Sequence, residues 1–100
     1  ESFTRLVRQM LEQAPALLAR LESVRQTGEA ATLREAAHAM VGSLRSFGLI
    51  GAADGARAVE QLARSGRTDE AAEAVPQAVE AARRGLDALR RWLEARPVSP

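Results

Sequence analysis

Val75, Val79, Ala82, Leu86, Leu89 and Leu93 recur at steps of three and four residues through the last third of the chain. An α-helix, turning about 100° per residue, gathers such positions onto one face. The same period runs through Phe3, Val7, Met10, Ala14, Leu17 or Leu18, Leu21 and Val24. It returns in Leu33, Ala36, Ala37, Met40, Leu44 and Phe47, and again in Ala56, Val59, Leu62 and Ala63. No stretch alternates polar and apolar residues at the two-residue period of a strand. Alanine and leucine dominate an apolar content of 46%, with only 3% aromatic residues, so the helices can approach closely.

The breaks between these stretches carry helix start and stop signals. Thr27-Gly28 ends the first; Thr32, with Glu35 three residues on, suits a capping box for the second, or else Glu29 to Thr32 form its first turn. Gly48 is a left-handed terminator, Leu49-Ile50-Gly51 a short connection, and Gly66 the close of the third helix. Thr68 or Asp69 caps the fourth. Pro15 and Pro76 fall inside helical stretches and predict a kink or a break, because proline lacks the amide proton and crowds the preceding turn. The expected helices are about 3–25, 32–47, 52–65 and 69–95, with a frayed tail at 96–100. Short connections between such helices predict an all-α, antiparallel up-down-up-down four-helix bundle, one domain over residues 1–100.

Composition narrows the chemistry. There is no cysteine and a single histidine, which removes disulfides, thiolate sites and multi-histidine metal centres. All 14 basic residues are arginine, and 13 acids leave a net charge of +1, so nucleic acid is not an expected partner. No apolar run approaches the roughly 18 residues of a membrane span, and no secretory signal is visible. A cytoplasmic, monomeric domain is expected. The start at Glu1, without an initiator methionine, suits a piece of a longer protein.

His38 lies about 100° further round its helix than the inward Ala37. Arg34 and Arg45 project to nearly the same side, and Gly42, one turn on, leaves the approach to the imidazole uncrowded. A metal is disfavoured, since Val41 and Gly42 occupy the positions where a second ligand on the same face would stand. Ser43 and Ser46 lie elsewhere around the helix, which leaves no serine–histidine relay. What remains is the imidazole as a nucleophile toward phosphorus, near an arginine able to pair with phosphate oxygens.

The run Ala37-His38-Ala39-Met40-Val41-Gly42-Ser43, followed by Phe47-Gly48, resembles the signature of histidine-containing phosphotransfer (HPt) domains. The segments Leu11–Leu18, Gly28-Glu29 and Val59–Gly66 also fall in that family's register, so the likeness covers nearly the whole chain. It implies a phosphorelay carrier: His38 as phosphoacceptor from a receiver-domain aspartate, then donor to another receiver. It further implies Gly42 as the gap admitting the receiver, and Mg2+ held by the receiver, with no cofactor in this chain and no small-molecule turnover. Val41, Gly42, Leu49 and Ile50 are the expected docking residues, and a hybrid sensor histidine kinase the expected parent. One position departs from the pattern. The family's usual lysine, three residues after the histidine, is Val41 here, so Arg34 and Arg45 become the candidates to support the phosphoryl group. The alternative is a degenerate helical module that binds receivers or other partners without phosphotransfer.

Overall fold

A computed structural model describes residues 2–96, and these form α1 (Ser2–Arg25), α2 (Ala30–Ser46), α3 (Ile50–Arg64) and α4 (Thr68–Ala95). Each helix packs on its neighbours in sequence, and α1 also lies against α4, which closes an up-down-up-down four-helix bundle. The bundle is elongated, with principal extents of 53 × 19 × 17 Å. Its core holds the apolar stripes read from the sequence, widened by Val41, Ala52, Ala53, Ala71 and Ala78, and is centred on the fully buried Val7, Leu21, Leu33, Met40, Val59, Val75 and Val79. Phe3 is the exception: it begins the first stripe but stays half exposed, edge-on to Trp92 at 5.6 Å and tilted against Phe47.

The helix α3 packs most heavily, against both α2 and α4, while α1 touches its neighbours less. Side-chain size explains this. The buried residues of α3 are mainly Ala52, Ala53, Ala56 and Ala63, and at Gly55 an added β-carbon would meet the backbone of Ala78 at 3.4 Å. Larger Met10, Leu18 and Leu21 hold α1 further out.

Two connections share one design. Gly48, at φ 75°, donates its N–H to the Arg45 carbonyl while Leu49 donates to Leu44. Gly66, at φ 78°, and Arg67 repeat the pair of bonds to Ala63 and Leu62. This is the Schellman ending, and it requires the left-handed backbone that glycine adopts without a β-carbon clash. In both cases the residue after the glycine is already the N-cap of the next helix.

That economy corrects several expected boundaries. Ile50 and Gly51 are the first turn of α3 and not a connection, because three residues suffice to reverse the chain. Thr32 does not cap α2, which begins at Ala30 behind Glu29. Thr27 takes part instead, its hydroxyl donating to the Val24 carbonyl and accepting the Glu29 N–H. Thr68 and Asp69 lie inside the first turn of α4, where Asp69 and Glu70 face the positive end of the helix dipole. Pro15 and Pro76 break neither helix: α1 and α4 run through them, and both prolines lie on exposed faces where water can take the carbonyl each leaves unpaired. The expected tail lies outside the described residues beyond Arg96.

Candidate functional site

The antiparallel pairing of α2 with α3 sets His38 opposite Glu60. The side chain of His38 is 74% exposed and that of Glu60 only 9%, with His38 Nδ1 at 2.7 Å from Glu60 Oε2. Among the described residues Glu60 is the one charged group in the buried set. A buried carboxylate is tolerated when its charge is paired and hydrogen-bonded. Here Arg64, one turn further along α3, donates from Nη2 to the same Oε2 at 2.9 Å.

The hydrogen bond decides the chemistry of the ring. An ionised carboxylate only accepts, so the Nδ1 proton stays on the imidazole and is donated to Glu60. In the neutral ring that leaves Nε2 as the unprotonated nitrogen, carrying the lone pair. The histidine is thus held in one tautomer, with its nucleophilic atom on the side away from the buried carboxylate.

Arg34, Glu35, His38, Ala39, Glu60 and Arg64 line an open groove between α2 and α3. Arg34 therefore shares the surroundings of His38. Arg45, about two turns along α2, does not line this groove, and neither arginine forms an ion pair among the described residues. No group of three or more His, Cys, Asp or Glu side chains suited to a metal ion occurs among the described residues. Among the described residues no helix is long and apolar enough to cross a membrane.

The expected docking residues divide. Gly42 is exposed, and a β-carbon built there meets nothing within 4 Å. Ile50 is 54% exposed at the start of α3. Leu49 is half-buried and packed on the core beside Gly85. Val41 is a correction: it is 8% exposed and belongs to the core, because α3 packs over that edge of the α2 stripe. It presents little surface to a partner.

Glu60 and Arg64 were not among the residues singled out from the sequence. A signal was present. Glu60 interrupts the inward stripe of Ala56, Val59 and Ala63 with an acid, and Arg64 follows at the four-residue spacing of a helical ion pair.

The site is thus an exposed histidine in the middle of the second helix of a four-helix bundle, bonded through Nδ1 to a buried glutamate of the third. The sequence model of one family, the Hpt domain, matches residues 5–92, and the chain belongs to that family. Its members are phosphorelay phosphocarriers that meet response-regulator receivers. Comparison with curated proteins finds no match, and neither does comparison with solved structures.

Proposed function

We propose that His38 is the phosphoacceptor of this domain, taking a phosphoryl group from a receiver aspartate and passing it to another receiver. The observation that carries this reading is the bond from His38 Nδ1 to the buried Glu60, which leaves Nε2 free at an exposed position. Attack by the Nε2 lone pair forms the N–P bond as the acyl phosphate O–P bond of the receiver breaks, with the aspartate carboxylate as leaving group. No proton need leave the ring. Nδ1–H stays on Glu60, whose charge offsets the positive charge that the phosphorylated imidazole acquires, and transfer to the next aspartate reverses these changes.

Gly42 supports the same reading. A glycine inside a helix costs about 0.5–1 kcal/mol relative to alanine, and here neither a positive φ nor a packed neighbour requires it. Clearance for a receiver, whose reacting carboxylate must come nearly in line with Nε2, gives the residue a purpose. Ile50 would extend that contact. The receiver supplies Mg2+, the parent is a cytoplasmic relay protein of the hybrid kinase kind, and the domain acts as a monomer.

The test is incubation with a phosphorylated receiver and Mg2+, followed by assay for acid-labile, base-stable phosphate. Wild type should acquire it and His38→Gln should not, while the change in melting stays small because the glutamine amide can still donate to Glu60, which also keeps its bond from Arg64. Phosphate on the variant would refute the assignment of His38. Receiver binding without phosphate on either protein would favour the non-transferring module, a reading that the apolar Val41 keeps open.

A further inference from the structure

The chain has three aromatic residues, Phe3, Phe47 and Trp92, and all three meet at one end of the bundle. The Phe3 ring lies 6.3 Å from that of Phe47 and 5.6 Å from that of Trp92, and the Arg96 guanidinium stacks over Trp92 at 4.7 Å. Burial changes abruptly there. Phe3 stands four residues before the fully buried Val7, and Trp92 three residues after the buried Leu89, so each lies on the inward side of its helix. They are nevertheless 51% and 37% exposed, and Leu6, one turn on from Phe3, is half exposed too. Unequal helix length is the cause. A β-carbon on Gly85 would meet Leu49 and Ala52 at 3.5 Å, so α4 is level with the α2–α3 turn at that point and then continues to Ala95, about 15 Å further. The helix α1 keeps pace, since Phe3 reaches Trp92. Together they form a shelf over which the layer of α2 and α3 is missing, with Phe47 covering only its base.

Charge defines what such a shelf can take. Arg5 and Arg8 in the first turns of α1, Arg45 in the last turn of α2 and Arg91 beside Trp92 all belong to this end, and none has an ion pair among the described residues. Arg64 and Arg67, towards the other end, are both held by glutamates. We infer that the shelf of α1 and α4 is a docking site for an acidic amphipathic helix of a partner protein. That helix lays its apolar stripe on Phe3, Leu6 and Trp92 and sets its carboxylates among the unpaired arginines. A helix is the element that the packing lacks here, because the same two faces are covered by helices further down the bundle. Exposed tryptophan and arginine are also the side chains that carry most energy at protein interfaces. A second copy of the chain would bring its own arginines against these, and a flat bilayer would touch the rim of the shelf without reaching Phe47 at its base.

The shelf and the histidine are separate sites. Phe47 follows His38 by nine residues, which is about 14 Å along α2 and half a turn round it. None of the three aromatic residues lines the groove beside His38. A receiver at His38 and a helix on the shelf can therefore be bound together, and the inference does not depend on phosphotransfer.

The experiment uses a synthetic helical peptide of about 18 residues with leucine and phenylalanine on one face and glutamate elsewhere, and a second peptide with lysine in place of glutamate. Binding is read from the emission of Trp92, the single tryptophan, and from the anisotropy of labelled peptide. The acidic peptide should bind saturably, shift Trp92 emission to the blue and weaken as salt rises. The lysine peptide should bind at least about tenfold less tightly. Phe3→Ser and Trp92→Ser should each weaken the acidic peptide about tenfold, and Arg91→Glu about two- to fivefold. Leu6→Ser, which disturbs no ring contact, should act in the same direction, so that damage to the aromatic cluster is told apart from loss of the docking surface. Arg25→Glu, at the other end of α1, should bind as wild type does. Absence of saturable binding would overturn the inference, as would equal affinity for the lysine peptide or wild-type affinity in both Phe3→Ser and Leu6→Ser. Competition between the acidic peptide and a receiver would overturn the separateness of the site. Co-sedimentation with phosphatidylglycerol vesicles in place of peptide binding would overturn it in favour of a lipid surface, and self-association in place of peptide binding in favour of a second copy.

Discussion

Substitution of Gly42 sets fold and function against each other. The residue lies at the thirteenth position of the 17-residue helix α2, with ordinary helical backbone, and the space where a side chain would stand is empty to 4 Å. Alanine there should stabilise the protein by about 0.5–1 kcal/mol, since it restricts the unfolded chain and strains nothing in the folded one. For a domain of this size that corresponds to a rise of about 2–8 °C in melting temperature. Gly42→Gln should also stabilise, because glutamine is a far better helix former than glycine. A receiver docking over the same surface meets the opposite consequence. The alanine methyl should slow transfer modestly. The longer glutamine, holding the reacting aspartate away from Nε2 by an ångström or more, should slow it on the order of ten- to a hundredfold. Circular-dichroism melts and single-turnover transfer from one phosphorylated receiver read the two effects separately. A glutamine variant that accepts phosphate at the wild-type rate would refute the claim that this glycine clears the docking face. A lower melting temperature for Gly42→Ala would refute the claim that the site is open.

Two further outcomes follow from burial and pairing. Val41→Lys replaces a core valine with an ammonium that must reach past α3 to water, so it should lower stability by about 1–3 kcal/mol and leave transfer no faster; an unchanged urea midpoint would contradict the burial of Val41. The Glu70 carboxyl accepts hydrogen bonds from Arg67 Nε and Nη2, and these, with the nearby guanidinium charge, hold it below its ordinary range. Because the folded value is the lower one, its contribution is fully present above the unfolded value and fades as pH falls through the folded one. An NMR titration should find the Glu70 midpoint lowered in wild type and restored in Arg67→Ala, and equal midpoints would remove the pair from any account of acid stability.

Periodicity carried most of the architecture: apart from the half-exposed Phe3, the stripe residues of all four helices lie in the core or pack against it, although Val41, Ala52, Ala53, Ala71 and Ala78 are buried outside those stripes. The ends were harder to read. Gly51 looked like part of a connection, yet Gly48 and Leu49 had already reversed the chain, leaving Ile50 and Gly51 free to start α3. Thr32 suits a cap by its spacing to Glu35, while Glu29 to Thr32 suit a first turn; the second reading holds, and local spacing alone does not choose between them. His38 and Gly42 were legible because azimuth on one helix is a property of that helix. Glu60 is 22 residues away, and its meeting with His38 depends on how α2 and α3 are staggered. Val41 was misplaced for the same reason, since the width of a buried stripe depends on which neighbour covers its edge.

The matched glycine turns at Phe47-Gly48-Leu49 and Ser65-Gly66-Arg67 lock α2, α3 and α4 into one run of tightly spliced helices, while α1 is joined through a looser turn and packs with bulkier side chains. Histidine, glutamate and arginine all reside within that spliced run. Breathing of α1 is therefore the cheapest excursion open to the molecule, and it can occur without altering the spacing of the three groups. Amide exchange should be fastest in α1 and slowest where α2 and α3 face each other. A carrier built in this manner can have its first helix tugged by whatever adjoins it and still present an unchanged imidazole to the next receiver.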